Sequence, residues 1–297
     1  MFSFERRRAT CIDGTQYQPT WFLVSPRPGE LHRERAYDTA WIDGRIPLIV
    51  VGQDGRMSIP STSVDVPVRV RELARGAALT PVWLNGIGGL TFRTDDGRYI
   101  KWGPLDDEAN MRDEAERMRW ARTWISVPEV LEQGQDDAHE WLVTVAIDAS
   151  SAVDPRWAAE AETAVRAVGV GLRALHDALP VAECPWEWST HQRIADAAER
   201  GTIVAEDLLQ APPIDRPVVC HGDACMPNTL LDADGRPTAF VDLAALGVAD
   251  RWADIAVASM STMWNFGTGW EDTLIEAYGV DPDRERLAYY RRLWNET

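Results

Sequence analysis

The sequence predicts an α+β chain in two lobes, β-rich first and helical second, with a further β-rich segment ahead of both. Three observations predict it. Short β-prone runs crowd the residues up to 147, long helix-periodic stretches fill most of 148–297, and one hairpin in that second part gathers acids and an amide around a single point.

Residues 1–64 carry Pro19, Pro26, Pro28, Pro47 and Pro60, β-like runs at Trp21–Val24 and Ile46–Val51, and Asp-Gly turns at Asp43 and Asp54. That pattern reads as a small β-rich appendage without an assignable role. The first lobe spans 65–147. Val68–Arg75 reads as a short helix, while Val82–Arg93 and Arg98–Trp102 read as a hairpin closed by Asp95-Asp96-Gly97. Asp106–Trp124 is helical, with Met111, Ala115, Met118 and Ala121 on one face, and Glu140–Ala146 is a buried strand by composition. The second lobe, 148–297, opens on a long helix over Pro155–Leu179. It is helical thereafter except for a strand at Cys220 and the hairpin.

That hairpin joins Asn228–Asp232 to Thr238–Asp242 through an Asp234-Gly235 turn. Pairing Asp232 with Thr238 puts Asn228 opposite Asp242, so an amide oxygen and a carboxylate can share a hard divalent cation such as Mg²⁺. Asp223 precedes Asn228 by five residues, the interval between the catalytic Asp and the metal-binding Asn of the protein-kinase catalytic loop. Asp and Asn more often serve turns and caps. Three of them at this spacing, after His221-Gly222 and before Asp250 and Asp254, point instead to a metal and phosphoryl-transfer site. A β-rich lobe, a helical lobe and chemistry at their junction make a protein-kinase-like architecture. Lys101 lies in an otherwise apolar strand, where a lone ammonium is costly to bury, so it needs an acidic partner. Gly86-Ile87-Gly88-Gly89 lets backbone N–H groups approach phosphates, or simply closes a tight turn; both readings stand.

Composition narrows the function classes. A chain of 297 residues can bury a full core. Its four cysteines, Cys11, Cys184, Cys220 and Cys225, lack metal-ligand spacing and suit a reducing cytoplasm. No signal-peptide core follows the basic residues near Met1, and no run approaches the roughly 18 apolar residues of a membrane span. The net charge is −17; residues 1–64 hold eight Arg and seven Asp or Glu, so the acidic excess lies downstream. Such a surface repels nucleic acid and anionic membrane and draws cations, which suggests a cationic small molecule; it also serves solubility.

The chain resembles the aminoglycoside 3'-phosphotransferases, the kanamycin-kinase type of resistance enzyme, in their actinobacterial form. Matching segments run in order: PVWLNGIGGLTFR from Pro81, RYIKW from Arg98, DEAERMRWA from Asp113, VPEVLEQG from Val127, GLRALHDALPVAECPWEW from Gly171, the hairpin block, and YYRRLW from Tyr289. The resemblance implies a kinase-like fold and transfer of the γ-phosphoryl group of ATP, or GTP, to a hydroxyl of an aminoglycoside or related amino-sugar antibiotic with Mg²⁺; the alternatives are a kinase of the same fold acting on another hydroxylated cation, such as a peptide antibiotic or a metabolite, and a non-catalytic nucleotide-binding relative. It makes Asp223 the catalytic residue and Asn228 and Asp242 the metal ligands. Glu114 becomes the partner of Lys101, with Glu116 as competitor. Tyr99 would stack on adenine, the backbone of Thr144 to Ala146 would bind its edge, and Gly88 and Gly89 would approach the phosphates. His221, His176 and Asp254 are implied to be scaffold, Asp254 anchoring the catalytic-loop backbone. The family's drug-binding acids are thinly represented: Glu183, Glu187 and Glu296 are the candidates, while Met263 and Trp294-Asn295 stand where acids are expected and Ala245 where many members have arginine. Each lost acid removes a charge-assisted hydrogen bond, unless Glu271 and Asp272 compensate.

Overall fold

The computed structural model describes residues 64–85, 88–105 and 110–297. The expected appendage, apart from Val64, lies outside the described residues, as do Gly86, Ile87 and Asp106–Ala109.

Five strands form one antiparallel sheet: β1 (Leu79–Leu84), β2 (Leu90–Thr94), β3 (Arg98–Pro104), β4 (Val130–Gln135) and β5 (His139–Val145), in spatial order β1-β2-β3-β5-β4. The run expected as one strand over Val82–Arg93 is two, β1 and β2. The Asn85 N–H donates to Gly89 O at 2.9 Å and folds the run back at its glycines. Alternation along β3 sends Ile100 into a cluster with Val70, Leu73, Phe92 and Val143, covered by helix α1 (Val68–Ala74), and leaves Lys101 on the other face. Helix α2 (Met111–Ala121) packs on that other face through Ala115, Met118 and Ala121, beside Leu142 of β5. Asn110 caps it, its Oδ1 accepting the Asp113 N–H at 2.7 Å.

The same apolar cluster continues into the second lobe through Leu175, Leu179, Val219, Phe240, Leu243 and Leu246. There α3 (Ala161–Ala178), α4 (Thr190–Glu199), α5 (Arg251–Phe266), α6 (Glu271–Tyr278) and α7 (Arg284–Glu296) build a core around Leu172, Ile255, Ile275 and Leu287. The long helix does not begin at Pro155. A 3-10 turn over Pro155–Ala159, capped by Asp154, precedes it, and Glu160 at φ −127° breaks the two apart. A Cβ at Gly169 would lie 2.6 Å from the Leu274 carbonyl, so α3 meets α6 through a residue without a side chain.

More strand is present than expected. The hairpin, β8 (Thr229–Leu231) and β9 (Pro237–Phe240), gains a short partner β6 (Ser150–Ser151), and β7 (Pro217–Cys220) pairs with β10 (Gly247–Asp250). The hairpin register also differs by one residue. Thr229 faces Phe240, a bulge falls between Leu230 and Leu231, and Asn228 therefore lies opposite Val241. The cause is the turn: Asp232 Oδ1 accepts the N–H groups of Asp234 and Arg236, both at 2.9 Å, and closes the loop earlier than a Thr238 pairing allows. No helix among the described residues is long and apolar enough to cross a membrane.

Candidate active site

The loop from His221 to Asn228 leaves β7 and enters β8. Gly222 opens it at φ 87°, and a Cβ there would lie 2.1 Å from the Ala245 carbonyl oxygen, so only glycine lets the two segments touch. The loop is held from below by Asp254 of α5, whose Oδ2 accepts the His221 N–H at 2.6 Å and whose Oδ1 accepts the Gly222 N–H at 3.1 Å. Behind Asp254, His176 Nε2 lies 3.0 Å from Oδ2, and His176 Nδ1 lies 2.7 Å from the Tyr278 hydroxyl. These contacts suit the scaffold role expected of His176 and Asp254. His221 is buried, with Nδ1 accepting the Asp223 N–H at 3.3 Å.

On this support Asn228 Nδ2 donates to Asp223 O at 2.9 Å and to Asp223 Oδ2 at 3.0 Å, which locks the two side chains together. Asp223 Oδ1 is buried without a hydrogen-bond partner among the described residues. Burial, then the charge of nearby Asp242, pushes the Asp223 carboxyl above its ordinary range. Asp242 follows β9 in the left-handed backbone region, φ 66°, one residue beyond Val241, whose N–H donates to Asn228 O at 3.0 Å. Uncommon backbone of this kind clusters at functional sites.

Lys101 completes the arrangement. Its Nζ lies 2.8 and 2.9 Å from the two Glu114 oxygens and 2.8 Å from Asp242 Oδ1. Burial opposes the charge on Lys101, but Asp242 and Glu114 outweigh it and hold the ammonium above its usual range. The Lys101 charge in turn holds Asp242 below its own. Glu114 is 4 % exposed, whereas Glu116 on the same helix is exposed, which decides between them. Sheet, helix and hairpin thus deliver Lys101, Glu114, Asp242, Asn228 and Asp223 to one place.

Other expected residues are placed differently. The Gly88 and Gly89 N–H groups donate to Asn85, at 3.2 Å to its carbonyl and 2.5 Å to its Oδ1, and so close the turn. Tyr99 is half-buried in β3 opposite Thr144. The Ala146 N–H donates to Gly97 O at 2.9 Å, which commits it to the sheet edge. On the acceptor side Glu183 and Glu187 are exposed, and Glu187 accepts from the Ser189 hydroxyl. Glu296 offers no spare carboxylate, being held by Arg292 at 3.2 Å and by the Ala205 N–H at 3.3 Å. The compensating acids are also committed, Glu271 to Arg284 and Arg291, and Asp272 to Arg284. Two residues missed from sequence support the site. Arg117 Nε reaches the Leu246 carbonyl at 3.0 Å, tying α2 to the segment after the hairpin, and Ser261 Oγ accepts the Met226 N–H at 2.9 Å. Arg117 stands three residues after Glu114 on the same helical face, a spacing that could have drawn attention to it.

The profile of the phosphotransferase enzyme family matches residues 89–290. An aminoglycoside 3'-phosphotransferase of Streptomyces fradiae is 35 % identical over 226 residues, covering 66 % of this chain and 84 % of that one. The streptomycin 3''-kinase of Streptomyces griseus is 32 % identical over 243 residues, covering 69 % and 87 %. Among solved structures, an aminoglycoside phosphotransferase of Streptomyces rimosus in complex with ADP and streptomycin superposes with a TM-score of 0.58 at 28 % identity, covering 75 % of this chain and 94 % of that one.

Proposed function

Because the chain belongs to the phosphotransferase enzyme family and shares its kinase-like fold with the aminoglycoside phosphotransferases, we propose that it transfers the γ-phosphoryl group of ATP to a hydroxyl of an amino-sugar antibiotic. The observation that carries this reading is the convergence of Lys101, Glu114 and Asp242 beside the locked Asp223–Asn228 pair.

In the mechanism the Asp223 carboxylate receives the acceptor hydroxyl, orients it, and takes its proton as the oxygen attacks phosphorus and the bond to the departing ADP breaks. A carboxyl pushed upward is the better base for this. Asn228 keeps Asp223 aimed by spending its N–H₂ group on it. Lys101, positioned by Glu114, meets the phosphate end of the nucleotide. The oxygens of Asn228 and Asp242 fit a divalent cation: two carboxylates stand close enough for one to raise the other, and hard oxygen donors with surplus negative charge are what Mg²⁺ takes. The chemistry such an ion supplies is charge neutralisation on the phosphates. Catalysis is then positioning and electrostatics.

The Ile147 N–H, the first after Ala146, donates no backbone hydrogen bond among the described residues; we assign the adenine edge to it in place of Ala146. A cytoplasmic enzyme fits this use of ATP and the free Cys184, Cys220 and Cys225. The test is mass spectrometry of amino-sugar antibiotics after incubation with ATP or GTP and Mg²⁺. A mass gain of one phosphate, absent with Asp223→Ala, supports the reading; unchanged masses with intact nucleotide binding overturn it.

A further inference from the structure

Arg117 stands on α2 one turn after Glu114, on the same helical face, and its side chain is 15 % exposed. Its guanidinium makes three contacts. Nε donates to the Leu246 carbonyl at 3.0 Å, Nη1 lies 3.2 Å from Asp113 Oδ2 on the same helix, and the group stands 5.3 Å over the Trp186 ring. Trp120 of α2 meets that ring edge-on, with centroids 5.6 Å apart. Leu246 and Trp186 belong to segments already bonded to each other: the Val248 N–H donates to the Trp186 carbonyl at 2.9 Å, and the Trp188 N–H to the Val248 carbonyl at 3.0 Å. Arg117 thus holds α2 to the second lobe with a planar fork that an ammonium does not reproduce.

These contacts close a ring. Glu114 bonds Lys101, and Lys101 bonds Asp242. The chain then turns, with the Leu246 N–H donating to the Leu243 carbonyl at 3.0 Å, and the Leu246 carbonyl leads back through Arg117 to α2. A tilt or rotation of α2 that drew Glu114 off Lys101 would also break the Arg117 contacts, because the two side chains ride one turn apart on the same helix. The start of α2 is fixed to the sheet, where Glu140 Oε2 of β5 accepts the Met111 N–H at 2.7 Å. A phosphate drawing on Lys101 competes with Asp242 for the same ammonium. The contacts of Arg117 do not depend on that outcome.

We propose that Arg117 is a positioning residue of the phosphoryl-transfer site: by gripping the Leu246 carbonyl and the Trp186 ring it keeps Glu114 on Lys101, and Lys101 in place for the nucleotide phosphates. The proposal rests on the phosphotransferase reading above and adds to it a residue that acts through Glu114 and not on the substrates.

Calorimetric titration of the full chain with ATP and Mg²⁺ tests it, with Arg117→Met made both in wild type and in Glu114→Gln. Arg117→Met is expected to weaken ATP binding about tenfold in wild type and by less than about twofold where Glu114 is already Gln. A residue that merely stabilised the fold would give the same factor in both. Arg117→Lys keeps the charge and the pair with Asp113 but lacks the fork, so it should behave as Arg117→Met does, and it carries the same cycle if the Met variant fails to fold. Asp113→Asn removes that pair and leaves the other two contacts, so ATP affinity should stay as it is. Equal losses in the two backgrounds, or a loss in Asp113→Asn as large as in Arg117→Met, overturns the inference. If an amino-sugar antibiotic gains phosphate while both Arg117 variants bind ATP as wild type does, the phosphotransferase reading survives and this inference fails. If the cycle comes out as expected and no amino-sugar antibiotic gains phosphate, the inference survives and that reading fails. A wild type that binds no ATP overturns both.

Discussion

Lys101 bonds two carboxylates at once, and that decides what its removal does. In Lys101→Met, Glu114 is left as a buried charge without its partner, a loss of about 3 to 5 kcal/mol by the usual cost of breaking a buried pair. Lys101→Met combined with Glu114→Leu should cost clearly less than the two single changes added, because the second removes the stranded charge; urea unfolding of the four proteins measures the coupling. Asp223 answers to a different readout. Asp223→Ala should lower turnover at least about a hundredfold, the lower end of a general-base contribution, with nucleotide affinity nearly unchanged, since its contacts run to Asn228 and away from Lys101. Steady-state kinetics beside nucleotide titration checks both halves. Residue types and spacing made Asp223, Asn228, Asp242 and Lys101 readable in the sequence, because few other arrangements require a lysine in an apolar strand. Glu114 over Glu116 was a question of helical phase, and only burial answers it. The turn role of Gly88 and Gly89 depended on where the Asn85 side chain points, which no spacing encodes.

The elements were legible where periodicity is strong, as in α2 and α3, and less so where a few polar contacts set a boundary. Asp154 and Glu160 split the expected long helix, and Asp232 shifted the hairpin by one residue. Asp154 and Asp232 act through side-chain hydrogen bonds to nearby backbone N–H groups and Glu160 through its backbone angle, local choices that composition does not resolve. The pairing of β10 with β7 was hidden for another reason: its four residues, Gly247–Asp250, are too short a run to carry a strand pattern. Where α5 meets the catalytic loop the consequence is measurable. Burial opposes the Asp254 charge, but the His176 contact and the loop amides outweigh it, and the carboxyl titrates below its ordinary range. A carboxyl depressed on folding adds stability above its unfolded value, about 3.9, and loses it as pH falls through the folded value. Wild-type Tm should therefore fall as pH drops below about 4, and Asp254→Asn should start lower and fall less steeply. Thermal melts across acid pH test this, and parallel curves would reject the assignment.

At the scale of the molecule, every residue of the proposed mechanism lies at or beyond Lys101, and Val64 and Val66 are the first described residues that pack against the cluster under the sheet. We propose the boundary of the kinase-like region there. A chain beginning at Val64 is expected to be soluble and to keep turnover within about threefold of full length, a difference well under 1 kcal/mol; a soluble but inactive product would place part of the site in residues 1–63. The division into a β-rich and a helical half, plain in the sequence, hides how the two are joined. Met118 and Leu142 from the first share one apolar cluster with Leu175, Phe240 and Leu246 from the second, and Arg117 adds a hydrogen bond across the same seam. Unfolding either half would strip that cluster from the other. Differential scanning calorimetry should accordingly record one heat-absorption peak for the pair, with the calorimetric enthalpy equal to the van't Hoff value. Heat that unravels the sheet would then silence the catalytic loop at the same temperature, leaving no partly folded form that still binds nucleotide.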